Sequence, residues 1–419
     1  MQALEQVYLV GGAVRDHLLG LDSHDKDYVV VGASVPQMEE LGFMSVGKDF
    51  PVFLHPKTKQ EYALARVERK VGKGYTGFSV DASEKVTLEE DLARRDLSIN
   101  AMAMDKNGKL IDPFNGQEDL NNKVLRHTTA AFKEDPVRVL RIARFLARYG
   151  SDWTIHPTTL DLIAEIKEAG ELEHLVPERV WKETEKALGE KSPQLYFETL
   201  NGLGLFPEIE AMQNIPQPAE HHPEGDVFVH TMLVLKRAAD LNFDLPTRFA
   251  ALVHDFGKPV SFAKYKTLHG HEAAGVPIIE AFCDKWRVPN KLKSLASLTS
   301  DNHLRCHRIF ELQPRTIHKM MIERFNAVKQ PERFLQFVQA CQCDAQGRGK
   351  TKVNVPYPQA ALCRFLLSGL QALDTKAVVK EAVEAGKSGP SLGDAVRIAQ
   401  INEIRRLLKQ FEQDEPAST

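Results

Sequence analysis

Asp25 and Asp27, one residue apart, open an apolar run inside residues 7–32, which read VYLVGGAVRDHLLGLDSHDKDYVVVG. In a strand, side chains i and i+2 share a face about 6–7 Å apart along the backbone. Two carboxylates so placed repel each other unless a cation lies between them. Their hard oxygens suit Mg²⁺, which commonly binds through one or two carboxylates plus phosphate oxygens. Upstream, Gly11-Gly12 offers bare backbone N–H groups that a phosphate can approach closely. A polar turn before an ordinary strand fits the same residues, so the pair alone does not decide.

Cations supply what the carboxylates lack. Arg94-Arg95-Asp96 precedes an apolar run containing Asn100, a pattern closer to a site wall than to a solvent face. Arginine's planar fork suits triphosphate oxygens, and Asp96 and Asn100 could hold a ribose hydroxyl or orient the arginines. Further on, EDPVRVLRIARFLAR predicts a helix with Pro136 in its first turn and Asp135 as cap. Arg138, Arg141, Arg144 and Arg148 fall at spacings of three, three and four, hence on one face. Residues 123–150 hold seven Lys/Arg against two acids, so the arginines are expected to repel one another unless an anion is present. Asp135 and Arg138 suggest a base reader. Cytosine and adenine each present an amino donor beside a ring-nitrogen acceptor, whereas uracil and guanine present the reverse. An accepting Asp and a donating Arg would select C and A, because a wrong base leaves buried polar groups unpaired.

A second constellation follows. His230 lies in VFVHT, the adjacent pair His254-Asp255 in ALVHDFGKP, and Lys258, His269 and His271 come after. Imidazoles with carboxylates suit a divalent transition metal that turns water into a nucleophile.

These residues need a scaffold. Strands are predicted at 7–10, 28–31, 52–55 and 61–67, with helices beginning near Val14 and Pro36, which makes a mixed sheet with helices on its faces. A glycine- and lysine-rich stretch, 70–78, reads as a solvated loop or as a lid touching RNA. Helices are expected at 159–169, 177–188 and 193–203, and proline-rich 214–224 reads as a linker. With 419 residues, several domains are expected. We divide the chain into 1–150, 151–220, 226–330 and 331–419, the last helical with a frayed tail. A net charge of −3 gives no global sign of nucleic-acid binding, so any such surface must be local. The apolar runs are too short for a membrane span. Five cysteines in a long chain point to reduced thiols in a cytoplasm. Cys341 and Cys343 lack a second pair, so structural zinc is not expected.

Taken together, GGAVRD, DKD, RRDLSINA and EDPVRVLRIARF resemble, in order and spacing, the bacterial CCA-adding tRNA nucleotidyltransferases, the class that also contains bacterial poly(A) polymerases. With the histidine motifs the resemblance is to the multifunctional form carrying an HD phosphohydrolase domain. It implies an α+β fold: a mixed-sheet nucleotidyltransferase head, an all-helical neck and body, and an all-helical HD domain. Through it, Asp25 and Asp27 match the Mg²⁺ carboxylates, with Glu61 as a candidate third acid on a neighbouring strand. Gly12 and Arg15 match the triphosphate turn, and Arg95 and Asp96 the contacts near ribose and phosphates. Asp135 and Arg138 match the amino-acid template for the base, supported by Arg141 and Arg144. His230, His254 and Asp255 match the HD metal motif, with Asp301 and His303 as candidates for its remaining ligand, Asp301 being the usual type, and nickel as one candidate ion.

The implied activity is addition of CCA to tRNA from CTP and ATP without a nucleic-acid template. The HD site would hydrolyse 2′,3′-cyclic phosphates and phosphomonoesters. The expected partners are tRNA, CTP and ATP, with no membrane, and the expected state is monomer or homodimer. The rivals are a poly(A) polymerase with the same head, an RNA-binding protein with a dead site, and an HD phosphohydrolase whose head only docks tRNA.

Overall fold

The computed structural model describes residues 4–22, 26–46, 52–70, 78–220, 222–349 and 352–414. Asp25 and the centre of the glycine-rich stretch, 71–77, lie outside them. Two compact units divide the chain, Met1–Thr184 and Glu185–Thr419. Residues 151–220, read above as one piece, are therefore shared between the units.

In the first unit the order is β1 (Gln6–Val10), α1 (Gly12–Leu18), β2 (Asp27–Val31), α2 (Val35–Glu40), β3 (Met44–Ser45), β4 (Val52–Leu54), β5 (Glu61–Leu64), β6 (Val67–Lys70) and β7 (Phe78–Asp81). Then come α3 (Leu88–Ala93), β8 (Ala103–Met104), β9 (Leu110–Ile111), α4 (Gly116–Asn121), β10 (Val124–Leu125), α5 (Val137–Tyr149), β11 (Thr154–Ile155), α6 (Pro157–Glu168) and α7 (Pro177–Gly189), whose last residues belong to the second unit. Seven strands form one mixed sheet in the order β3-β4-β5-β2-β1-β8-β9. β2 runs antiparallel to β1 and parallel to β5, with Asp27 in register with Glu61.

Successive β2 residues bury opposite faces, as a two-residue period requires. Val29 packs with Val10, Leu92 and Ala101, whereas Val30 packs with Met38, Phe53 and Leu64. Asp27 shares the face of Val29, so it looks toward the segment after α3 that carries the arginine pair. A capping box starts α3: Glu90 N–H donates to Thr87 Oγ1 at 3.2 Å, and Thr87 N–H to Glu90 Oε2 at 2.9 Å.

After α7 the named elements of the second unit are helices: α8 (Gln194–Leu200), α9 (Pro207–Glu210), α10 (Val227–Asp240), α11 (Leu245–Val253), α12 (Lys258–Tyr265), α13 (His271–Trp286), α14 (Asn290–His307) and α15 (Pro314–His318). A π-helical turn, Lys319–Arg324, precedes α16 (Pro331–Gln346), α17 (Pro358–Ala372), α18 (Thr375–Glu384) and α19 (Pro390–Asp414). One apolar core joins Val234 of α10, Ala250 of α11, Leu295 of α14, Phe337 of α16, Leu366 of α17 and Leu407 of α19. The residues after 330 thus share a core with the histidine-bearing helices. No described helix is long and apolar enough to cross a membrane.

Candidate nucleotide pocket and metal centre

A cavity of about 420 Å³ in the first unit is lined by Gly11 and Gly12 from the β1–α1 turn, Arg15 from α1, Asp27 from β2, Arg94 to Asp96, and Asn100. Asp135 just before α5, and Arg138, Arg141, Arg144, Phe145 and Arg148 of α5, add a wall, and Arg179 comes from α7. Every predicted head residue among those described thus meets in one place, apart from Glu61. Glu61 is exposed beside Asp27 on the next strand and does not line the cavity.

Gly11 is needed for backbone and space. Its φ of +67° is one that L side chains rarely adopt, and a Cβ there would lie 2.6 Å from Arg95 Nη1. Arg95 is therefore packed directly on the turn.

The arginines do not repel one another as their local sequence suggests. Acids from distant segments hold them. Arg141 Nε donates to Asp96 Oδ2 at 2.7 Å, and Arg144 Nε to Glu183 Oε2 at 2.7 Å. Arg148 Nη2 lies 3.4 Å from Asp16 Oδ2. Arg94 and Arg95 both reach the buried carboxylate of Asp91, at 2.8 and 3.2 Å. Asp96 and Asn100 orient cations here: Asn100 Nδ2 donates to Asp96 Oδ1 at 2.9 Å, and Asn100 Oδ1 accepts from Arg15 Nη1 at 2.6 Å. Burial alone would raise the Asp96 pKa, but Arg141 and the Asn100 hydrogen bond outweigh it and hold the carboxyl far below its usual range. Eight arginines against three acids still line the cavity, an excess suited to a triphosphate.

Asp135 and Arg138, the predicted base readers, are fixed before any base arrives. Arg179 donates to Asp135 Oδ1 at 3.1 Å and Oδ2 at 2.7 Å. Val137 N–H donates to Oδ1 at 3.2 Å, so Asp135 caps α5 from just outside it. Arg138 donates to the carbonyls of Ala131 and Arg94, at 3.0 and 2.5 Å.

The second unit gathers the histidines. His230 Nε2 lies 3.8 Å from Asp255 Oδ2 and 3.2 Å from Asp344 Oδ1. His254 Nε2 lies 3.1 Å from Asp255 Oδ2 and 3.8 Å from Asp344 Oδ2. Asp344 of α16, which sequence reasoning did not name, stands beside both histidines where a fourth ligand was sought. Asp301 instead faces Arg305 and Arg324, at 3.7 and 3.6 Å. His303 does enter the cluster, with Nε2 3.1 Å from His271 Nε2 and 3.9 Å from Asp255 Oδ1. Gly257 allows this. A Cβ there would lie 2.0 Å from the His271 carbonyl oxygen, so α13 meets the segment after Asp255 backbone to backbone.

Donor roles follow from the carbonyls. His254 Nδ1 lies 2.8 Å from Ala251 O, His271 Nδ1 2.7 Å from Leu268 O, and His303 Nδ1 2.9 Å from Ser300 O. A carbonyl only accepts, so each Nδ1 carries a proton and the Nε2 edge of each ring is the one turned toward the carboxylates. His230 is turned by Glu224, whose Oε1 is 2.7 Å from its Nδ1. Burial raises the Glu224 pKa, yet His222 and His230 bring it down to about 2. Asp255 is buried and stays well below the ordinary carboxylate range because His254 and Lys258 offset its desolvation. Converging imidazole Nε2 atoms and ionised oxygens fit a divalent cation held by His230, His254, Asp255 and Asp344. Asp255, His271 and His303 form a further group able to bind one.

The stretch 214–224 is not a bare linker. Gln217 accepts from Lys258 Nζ at 2.6 Å, and Pro216, Gln217, Pro218 and His222 line a cavity of about 630 Å³ over the histidines.

A multifunctional CCA protein of Teredinibacter turnerae is 49% identical over 408 residues, covering 96% of this chain and 98% of its own. The chain belongs to the multifunctional CCA protein family. Another member, from Haemophilus influenzae strain PittGG, is 49% identical over 391 residues, 90% of this chain and 94% of that one. Within this family assignment the Poly A polymerase head domain matches residues 7–126. The model described as "Probable RNA and SrmB- binding site of polymerase A" matches 152–212, and the HD domain matches 227–324. The fold agrees: the Bacillus stearothermophilus CCA-adding enzyme in complex with CTP superposes with TM-score 0.63 at 23% identity, over 97% of this chain and 94% of that one. The Thermotoga maritima CCA-adding enzyme complexed with tRNA gives 0.62 at 19%, over 96% and 90%. The chain is thus a tRNA nucleotidyltransferase with an HD domain, and its α+β head followed by helices is the expected fold.

Proposed function

We propose that this protein builds and repairs the 3′-CCA end of tRNA from CTP and ATP in the cytoplasm, and that its HD site clears phosphate-blocked RNA ends. The observation that carries the first part is the single cavity joining Asp27, the Gly11-Gly12 turn, the arginine wall and the Asp135–Arg138 pair.

Arg15 and Arg95 bind the triphosphate over the glycine turn, where backbone approach is close. Asp96 and Asn100 keep Arg141 and Arg15 aimed at it. Asp135 accepts from the amino group of cytosine or adenine, and Arg138 donates to the neighbouring ring nitrogen. Asp25 and Asp27 would hold Mg²⁺, which supplies charge stabilisation for the attacking 3′-hydroxyl and the leaving pyrophosphate. No protein base is required, because positioning and charge do most of the work in phosphoryl transfer.

At the HD site His230, His254, Asp255 and Asp344 would hold a divalent transition metal, nickel among the candidates, supplying Lewis acidity for hydrolysis of 2′,3′-cyclic phosphates and phosphomonoesters. Lys266 and Arg348 line that cavity and offset phosphate charge. A cyclic phosphate leaves no free 3′-hydroxyl, so its hydrolysis restores an acceptor for CCA addition.

The test uses tRNA lacking its CCA end, Mg²⁺ and each labelled nucleotide singly and in pairs. Addition of C, C and A followed by termination is expected. Long A tails without use of CTP would instead identify a poly(A) polymerase, and no incorporation would leave the head as a docking module.

A further inference from the structure

A third cavity, about 330 Å³, lies in the second unit away from the residues above that face the HD centre. It is lined by Asn302 and Arg305 of α14, Arg315 and Thr316 of α15, and Lys319, Met320 and Arg324 of the π turn. Four of these seven residues are cations and none is an acid. One carboxylate beside it, Asp301, pairs with Arg305 and Arg324. That leaves Arg315 and Lys319 with no acidic partner among the described residues.

Local structure makes the cluster. In the π turn Phe325 N–H donates to Met320 O at 3.2 Å, five residues back rather than four. The wider turn brings Lys319 and Arg324, five apart in sequence, to the same cavity. Such turns are rare and recur at functional sites. The cations remain reachable, since the Arg305 and Arg324 side chains are 45% and 50% exposed. No aromatic or broad apolar surface lines the cavity, so nothing in it would stack on a base or grip a nucleoside. Its chemistry reads phosphate alone.

Position supplies the context. Asn302 and His303 are neighbours on α14, yet Asn302 lines this cavity and His303 lines the HD cavity. One helix therefore carries the HD centre and the cationic wall, a residue apart.

We propose that this cavity binds backbone phosphates of the RNA whose 3′ end is processed at the HD site. It acts without base specificity and sets affinity for RNA over free nucleotides. This rests on the HD reading above. Arg315 and Lys319 are exposed, so replacing them removes charge and leaves the core intact.

The experiment compares the full-length protein with its Arg315→Gln/Lys319→Gln variant, after matching their thermal melting. Substrates are a tRNA ending in 2′,3′-cyclic phosphate and the free mononucleotide 2′,3′-cyclic AMP. For the RNA, KM is expected to rise about tenfold, and the slope of log affinity against log salt to fall by about one to two. Hydrolysis of the mononucleotide stays unchanged. Equal loss on both substrates, or no change on the RNA, overturns the proposal. If phosphate ions protect the parent but not the variant against melting while RNA affinity is equal, the cavity binds free phosphate and the RNA assignment is overturned. If the parent hydrolyses neither substrate, the HD reading itself fails, and direct tRNA binding across a salt series still decides this site.

Discussion

Arg179 clasps both oxygens of Asp135, at 3.1 and 2.7 Å, joining α7 to the head of α5. A bidentate pair fixes the carboxylate plane as well as its charge. Arg179→Ala is therefore expected to lower kcat/KM for CTP by about tenfold or more and to admit UTP and GTP, because discrimination depends on a fixed accepting edge. Arg179→Lys should not restore it, since a point charge lacks the fork. Single-nucleotide incorporation with all four nucleotides checks this, and unchanged discrimination in both variants counts against Asp135 as a base reader.

Asp344 completes the HD centre from outside the stretch that matches the HD domain. Asp344→Asn should abolish HD hydrolysis and weaken binding of Ni²⁺ or Co²⁺, measured calorimetrically on the full chain. Glu224→Gln removes the partner of His230 and should cost about 10–100-fold in metal affinity. Incorporation of CMP and AMP should be unaffected by either change. Metal binding at parental strength in both variants contradicts the assigned ligand set.

Asp96 predicts a pH dependence of stability. Its folded pKa is depressed, burial opposing and Arg141 prevailing, while its unfolded value is about 3.9. The unfolded state therefore binds more protons between those values, and stability rises with pH there. The contribution is fully present above the unfolded value and is lost as pH falls toward the folded one. Urea unfolding of parent and Asp96→Asn should show a constant gap above about pH 5 that narrows below about pH 4. A gap that widens in acid would contradict the assignment.

Gly11→Ala meets both a forbidden backbone angle and the Arg95 guanidinium 2.6 Å away. It should destabilise the protein by about 1–3 kcal/mol and raise KM for nucleotides through displacement of Arg95. The companion change Gly12→Ala, at a non-positive φ and 3.4 Å from Arg15, should cost less stability. Denaturant melts and nucleotide titrations distinguish the two.

Much of the head was legible because its signals are local. The strand–glycine turn–strand pattern placed Asp27, and helical spacing placed the four arginines of α5 on one cavity wall. The charge balance was not legible, since Asp16, Asp96 and Glu183 reach that wall from other segments. Local counting saw repulsion where the fold supplies partners. Asp344 left a faint trace: Phe334, Phe337, Cys341 and Asp344 follow helical spacing, so an acid sits on an apolar stripe where burial requires a partner. The prolines of 214–224 suggested a linker, but Glu224 and Gln217 enter the HD site through contacts that composition does not encode. The π turn, KMMIER, carries no glycine or proline to mark it in the sequence.

Independence of the two sites is the most direct test of the account. Asp27→Ala and His254→Ala are each assayed for CMP and AMP incorporation and for 2′,3′-cyclic phosphate hydrolysis. Asp27→Ala should lose incorporation and keep hydrolysis, and His254→Ala should do the reverse. Loss of both activities in either variant, with folding intact, would contradict two separate active sites.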